Sequence, residues 1–356
     1  MAEPVWSGGI DELSRTVPEE DRRAAVRGVP SAYDVQFTWD YAKGTRPALS
    51  KLYEKAKTSQ WNAQTDIDWS IGGQIDHARD PDNPLNSLGR TDEGPFGKLN
   101  AEERARLGHA QMAWTLSQFM HGEQGALVCT AKIVESVPWI DAKYYAASQV
   151  MDEARHVEVY SRYLREKLEW EMPINVHLRD LLDAVVADPR WDFTYLGMQI
   201  MVEGLALAAF GFQHQLSPDP LLKQITRYVM ADEARHVAFG VLSLKEAYSE
   251  LSAAEILERQ EFCYDAALRM RDRFLGQEVW EQLDMPVKEC TEIMLRNPVQ
   301  IEFRKILFSK IVPNLKKLGL LDAGDGWLRT RFADLDVLQF EDFEDTTEEY
   351  DSLQLA

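Results

Sequence analysis

The chain has 356 residues, 45% of them hydrophobic, with 59 acidic against 39 basic side chains and a formal net charge of −20. That length fits one large core or two modest ones, and the charge excludes a phosphate backbone as partner, the basic clusters such as Lys316 and Lys317 being short and isolated. Cys129, Cys263 and Cys290 match neither zinc-site nor disulfide spacing, and the opening MAEPVWSGGIDEL has no basic segment followed by an apolar run, so a cytoplasmic enzyme is expected.

In chain order, residues 1–30 are polar with scattered prolines and read as a loosely held arm, followed by a helix over about 32–59. Residues 70–100 are rich in Gly, Pro, Asn and Asp and form a long loop. From there helix formers dominate and strand-like alternation is absent. Helices are expected at about 101–136, 139–170, 191–215, 219–250, 253–282 and 297–318. Residues 195–212 are long and apolar enough to raise the question of a membrane span, but Glu203 sits at their middle without basic flanks, so a buried helix and no membrane are expected. The ending EDFEDTTEEYDSLQLA, residues 341–356, reads as an acidic, mobile tail. The whole is one all-α domain, 1–356, around a core at 105–250.

Two stretches repeat at an offset of 80 residues, MDEARHVEVYSRYL from 151 and ADEARHVAFGVLSL from 231. In each, a glutamate and a histidine stand three apart, Glu153 with His156 and Glu233 with His236, so each pair shares a helix face and can grip one metal. Each has a further glutamate 30 residues upstream, Glu123 and Glu203. A helical hairpin explains that interval, because antiparallel helices bring level those residues that are equally far from the turn. The midpoints are Pro138 and Pro218, both turn residues. Fifteen helical residues down and fifteen back place each upstream glutamate beside its pair, about 22 Å from the turn.

Packing the two hairpins face to face gathers four glutamates and two histidines, the ligand set of di-iron and di-manganese carboxylate bundles. Glu203 is the only charged residue between Leu196 and Phe212, a costly placement for a carboxylate unless it is paired or metal-bound. Two divalent ions would cancel the charge of four glutamates. Oxygen and imidazole donors suit iron or manganese, and thiolates for zinc or an iron–sulfur cluster are missing. Asp152 and Asp232 precede the two ExxH glutamates and are expected to accept the free ring N–H of a histidine across the bundle, Asp152 from His236 and Asp232 from His156; salt bridges to Arg155 and Arg235 are the alternative, and both can hold at once.

The doubled DEARH with its upstream glutamates resembles the ferritin-like di-iron carboxylate proteins: multicomponent monooxygenase hydroxylases, acyl carrier protein desaturases, arylamine N-oxygenases and the ribonucleotide reductase small subunit. The resemblance covers about 105–250 and implies a ferritin-like four-helix bundle with additional N- and C-terminal helices. It makes Glu123, Glu153, His156, Glu203, Glu233 and His236 the ligands of two iron ions, with a mixed Mn/Fe pair as an alternative and dioxygen as co-substrate. Departures separate the chain from individual branches. Multicomponent hydroxylases carry a threonine where this chain has Leu207, and arylamine N-oxygenases add a third histidine where it has Val229. Tyr160 stands where the reductase subunit carries its radical tyrosine, although a core tyrosine is the plainer reading.

One turn from the upstream glutamates, Ala126, Leu127, Ala206, Leu207 and Phe210 are candidates, with Tyr160, to line a small apolar pocket. The function expected is oxidation of a small organic substrate by hydroxylation, N-oxygenation or desaturation, with a ferredoxin or flavin reductase as electron donor and a homodimer as plausible assembly. Radical generation and non-catalytic iron binding are the alternatives.

Overall fold

The computed structural model describes residues 9–23, 29, 35–73 and 91–347, and among them the chain is helical with no strand. Helices of eight residues or more are α1 Pro47–Thr58, α2 Ala101–Ser136, α3 Ile140–Tyr163, α4 Val176–Ala187, α5 Trp191–Leu216, α6 Pro220–Tyr248, α7 Ala253–Asp272, α8 Val287–Arg296, α9 Pro298–Ile306 and α10 Trp327–Asp334.

Four of these, α2, α3, α5 and α6, form two antiparallel hairpins that turn at residues 137–139 and 217–219, where Pro138 and Pro218 stand. Local chemistry fixes the helix starts. Asn100 caps α2 in a reciprocal capping box with Glu103, and Asp219 caps α6 by accepting from Leu221 N at 2.9 Å, with Pro220 at the first helical position. Asp219 also accepts from Gly73 N at 2.9 Å and from the Tyr163 hydroxyl, tying the second turn to the end of α3.

Helix α5 is not uniformly α. Leu196–Val202 is a π-helical stretch that ends at Glu203, a local widening that recurs at functional sites. Gly240 of α6 lies against it, and a Cβ there would come within 2.6 Å of Gln199 Cβ. By length and composition Trp191–Leu216 could cross a membrane, but 78% of its most apolar window is buried among the other helices.

The segments around the four-helix core differ from expectation in four places. The N-terminal helix starts at Pro47 rather than near 32. Residues 35–46 are not helical, and Gln36 N bonds Glu135 O at 2.8 Å, so this stretch runs across the end of α2. The described part of the arm is held rather than loose: it contains the short helices Ile10–Leu13 and Glu19–Arg23, and the buried Leu13 receives Gln277 Nε2 on its carbonyl at 2.9 Å. The start of the acidic tail is packed as well. Thr346 is fully buried and its N–H bonds Asn314 Oδ1 at 3.1 Å, while residues 348–356 lie outside the described residues, as do 74–90 of the long loop. Helix α4 falls where no helix was expected.

Candidate metal centre

The hairpin geometry brings Glu123 from α2, Glu153 and His156 from α3, Glu203 from α5, and Glu233 and His236 from α6 into one cluster, each no more than 5% exposed. His156 Nδ1 stands 3.1 Å from Glu123 Oε2, 3.3 Å from Glu153 Oε2 and 3.1 Å from Glu233 Oε1. His236 Nδ1 stands 3.0 Å from Glu153 Oε1 and 3.6 Å from Glu233 Oε1. One ligand atom each from Glu123, Glu153, His156 and Glu233 lie within 4.8 Å of one another, and so do those from Glu153, Glu203 and His236. Glu153 belongs to both groups, the placement of a carboxylate between two cations.

Several of these atoms approach others closely without hydrogen-bond geometry. Glu153 Oε2, Glu203 Oε2, both Glu233 oxygens and His236 Nδ1 are buried and have no hydrogen-bond partner. Orphaned buried acceptors on three glutamates cost far more than a protein normally tolerates, and two divalent ions would satisfy them. Protons are the only other remedy. Burial, reinforced by Glu233, pushes the Glu123 carboxyl well above the usual carboxylate range, and burial with Glu233 and Glu153 does the same to Glu203. Burial would lower both imidazoles, but the carboxylates facing them, Glu123 for His156 and Glu153 for His236, push them up. Glu123, Glu203 and the two imidazoles thus favour their protonated forms, whereas the Glu153 carboxyl, which burial alone would raise, is held well below the usual range by His236 and His156; a metal binding there would displace protons. Cys129 adds no thiolate, because burial pushes its thiol up to about 12.

The outward ring nitrogens meet the two aspartates across the bundle. His156 Nε2 lies 3.1 Å from Asp232 Oδ2, and His236 Nε2 lies 3.3 Å from Asp152 Oδ2. Both aspartates also bind the arginine three residues on, Asp152 with Arg155 and Asp232 with Arg235. Burial opposes ionisation of Asp232, yet the His156 hydrogen bond and Arg235 hold its carboxyl well below the usual range.

Sequence reasoning missed three contributors. Trp61 Nε1 donates to Asp232 Oδ2 at 2.7 Å and Gln60 Nε2 to Asp152 Oδ1 at 3.0 Å, both from the segment after α1 and without a spacing that would reveal them. Gln149 is buried and its Nε2 donates to Glu153 at 2.9 Å and Glu203 at 3.0 Å. It lies four residues before Glu153, and the 80-residue repeat maps it onto Val229, so the same helix face carries an amide in one half and a buried apolar residue in the other.

A cavity opens beside the cluster, with Glu123, Glu203 and Glu233 on its wall together with Phe119, Ala126, Val202, Ala206 and Phe210; Gln118, Gly122 and Arg273 complete it. Of the expected pocket residues, Ala126, Ala206 and Phe210 line it, whereas Leu127, Leu207 and Tyr160 do not. One residue further along a helix is a rotation of about 100°, which takes Leu127 and Leu207 off the face of their neighbours. Tyr160 packs behind the wall, its ring 5.9 Å from those of both Phe119 and Phe210, and its buried hydroxyl has no hydrogen-bond partner. The remaining described histidines are engaged elsewhere; His109 and His121, for example, bond the carbonyls of Leu168 and Met172 at 2.9 Å.

Comparison with known proteins matches residues 42–319 to the family model described as p-aminobenzoate N-oxygenase AurF. No curated protein matches the chain. Among solved structures, an R2-like ligand-binding oxidase with aerobically reconstituted metal cofactor after photoconversion is 17% identical, with 77% of this chain and 94% of that one covered at a TM-score of 0.48. Another with aerobically reconstituted Mn/Fe cofactor is 19% identical, covering 74% and 93% at 0.46. The departure at Val229 therefore lies within the N-oxygenase family and does not place the chain outside it. The chain belongs to the p-aminobenzoate N-oxygenase AurF family and is a ferritin-like di-iron oxygenase acting on a small molecule.

Proposed function

We propose that Glu123, Glu153, His156, Glu203, Glu233 and His236 hold two iron ions, that Asp152 and Asp232 orient the two histidines, and that the enzyme N-oxygenates a small aromatic amine. The observation that supports it most is the set of orphaned carboxylate oxygens of Glu153, Glu203 and Glu233 in a cluster closed to water. Iron, when bound, supplies the binding and reduction of dioxygen, which no side chain of this chain provides.

The protein supplies the rest. Glu153 belongs to both groups of ligand atoms and would be shared by the two ions, Asp232 and Asp152 turn each Nδ1 inward by engaging Nε2, and Gln149 holds Glu153 and Glu203 together. Phe119, Val202 and Phe210 keep water from the substrate side. For an amine the first step balances as Ar–NH2 plus dioxygen, two electrons and two protons giving Ar–NHOH and water. Turnover thus needs a reductant, and a ferredoxin or flavin reductase is the donor proposed, with the acidic surface as its docking face; a homodimer and the division into core and appended segments belong to the same reading.

The test is anaerobic reconstitution with ferrous iron, metal counted per chain and examined by Mössbauer spectroscopy, followed by dioxygen uptake with 4-aminobenzoate and a chemical reductant. Two irons per chain and loss of amine matched to oxygen uptake are expected. A chain that holds fewer than two metals overturns the assignment of the six ligands.

A further inference from the structure

A second cavity lies further along the groove between α2 and α5, outward from the metal cluster. On α2 the stripe Gln111, Thr115, Phe119, Glu123 and Ala126 recurs every three or four residues and so shares one helix face. Its outer part, Gln111 to Phe119, lines this second cavity, and its inner part, Phe119 to Ala126, lines the cavity beside the cluster. Helix α5 is divided in the same way, with Glu203, Ala206 and Phe210 on the inner wall and Ala209, Phe212 and Gln213 on the outer one. From Glu123 out to Gln111 the helix covers about 18 Å, ending at a half-buried rim of Gln111, Thr115 and Phe212. The two cavities are successive lengths of one groove.

The outer cavity encloses about 810 Å³ counted to its open mouth, and among the described residues no charged side chain lines it. Close packing normally leaves few voids larger than a water molecule, so a space of this size is the kind in which proteins hold small ligands. Its wall is largely aromatic. Trp114 and Phe274 meet edge to face at 6.5 Å, as do Phe274 and Phe303 at 5.6 Å. None of the six cluster residues reaches it, so the cluster itself does not account for it. Among the described residues one side chain lines both cavities, that of Phe119. It is 5% exposed, and its ring stands edge to face on Phe210 at 4.7 Å.

We infer that the outer cavity is the antechamber through which the substrate reaches the metals, and that Phe119 determines specificity there, its ring setting the width of the body that passes. The inference rests on the oxygenase reading for the identity of the passenger, though not for the passage itself. Continuity carries the assignment: one face of α2 bears the antechamber wall, the partition and Glu123 in turn, and α5 repeats the order down to Glu203. Phe119 swings about its own side-chain bonds between rotamers, which joins the two cavities without moving either helix. A wall of rings and uncharged amides holds a flat apolar body at each step, and no ion pair has to break for it to move on. Water is shed on that path, before the substrate meets the glutamates.

The experiment challenges the ferrous, iron-loaded protein under anaerobic conditions with two chelators: 1,10-phenanthroline, flat and uncharged, and EDTA, a polyanion that an uncharged aromatic antechamber does not admit. Iron taken by EDTA reports spontaneous release, so the ratio of the two capture rates reads passage alone. Phe119→Ala should raise that ratio about tenfold. Thr115→Trp, which fills the antechamber from its rim, should cancel the rise in the double variant and leave the EDTA rate unchanged. A ratio unmoved by Phe119→Ala overturns the inference. So does a raised ratio that Thr115→Trp does not lower, which would place the entrance directly at the metal cavity, past Gly122 and Ala206. If Phe119→Ala does not hold two metals, Phe119→Leu makes the same comparison with less volume lost. With aniline and 2-aminonaphthalene as paired substrates, Phe119→Ala should shift kcat/KM toward the fused ring by about tenfold, and an unshifted preference overturns the role of Phe119 in specificity. Chelator ratios that behave as stated without turnover of any amine would defeat the N-oxygenation reading and leave the passage standing; turnover with unmoved ratios would do the reverse.

Discussion

Asp232 shows how much one buried side chain carries. Its carboxylate accepts from Trp61, faces the Nε2 of His156, pairs with Arg235 and comes within 3.4 Å of Arg155. Asp232→Ala should weaken metal retention about 10- to 100-fold, because His156 loses the partner that fixes its tautomer and orientation. It should also lower stability by about 3–5 kcal/mol, since two nearly dehydrated guanidinium groups lose a counter-charge. Competition with a chelator reads the first effect and thermal denaturation of metal-free protein the second. A variant that melts lower yet keeps both metals at wild-type affinity would reduce Asp232 to a structural ion pair. The residue scale also marks the limit of sequence reading. Spacing three and thirty located the Glu and His side chains that cluster in the bundle, but Trp61 and Gln60 come from a loop, where no periodicity relates a position to a direction.

At the scale of elements, register was legible and interruptions were not. Equal arm lengths around Pro138 and Pro218 state the hairpins outright, and helix geometry then aligns the glutamates. The π stretch Leu196–Val202 leaves no comparable mark in LGMQIMV, because its apolar residues would equally suit an α-helix. Helix α4, only 12 residues long, hides among apolar residues that continue its neighbours' pattern. Helix α1 begins at Pro47 rather than near 32, and the aromatic residues ahead of it do not join the core. In the structure Phe37 and Trp39 are each 75% exposed and stacked on one another at 5.5 Å. Gly240 tests whether the π stretch matters to the site. A methyl group there meets Gln199 Cβ, the root of a side chain rather than its flexible end, so α5 must shift. Gly240→Ala should therefore cost about 1–3 kcal/mol by overpacking. Because the displaced segment leads into Glu203, iron at the site of Glu203 and His236 should be lost before iron at the other. Stepwise chelation followed by Mössbauer spectroscopy distinguishes the two, and simultaneous loss would show that the π stretch does not position Glu203.

For the molecule as a whole, the appended segments are joined to the bundle through a buried carboxyl that plays no part in the metal cluster. Glu278, in the helix Gln277–Gln282, accepts from Trp114 Nε1 of α2 at 2.8 Å and from Asn175 Nδ2, ahead of α4, at 3.0 Å; next to it Gln277 holds the carbonyl of Leu13 in the N-terminal arm. Burial pushes the Glu278 carboxyl up to about 7 from an ordinary value of 4.5, against the lowering effect of the Asn175 and Trp114 hydrogen bonds. Below about pH 4.5 both the folded and the unfolded chain hold this proton. Between there and pH 7 only the folded state keeps it, so the unfolded state gains and stability falls as pH rises, levelling off once the folded chain has ionised too. The full loss is about 3 kcal/mol at neutral pH. Glu278→Gln keeps the neutral shape and removes the titration. The variant's Tm should be close to wild type at pH 5 and higher by several degrees at pH 8, with metal content unchanged at both. Measured on metal-free protein, the difference between the two melting curves cancels the titration of the cluster, which both chains share. Parallel curves from pH 5 to 8 would mean that Glu278 is already ionised at pH 5 and that its two donors outweigh its burial.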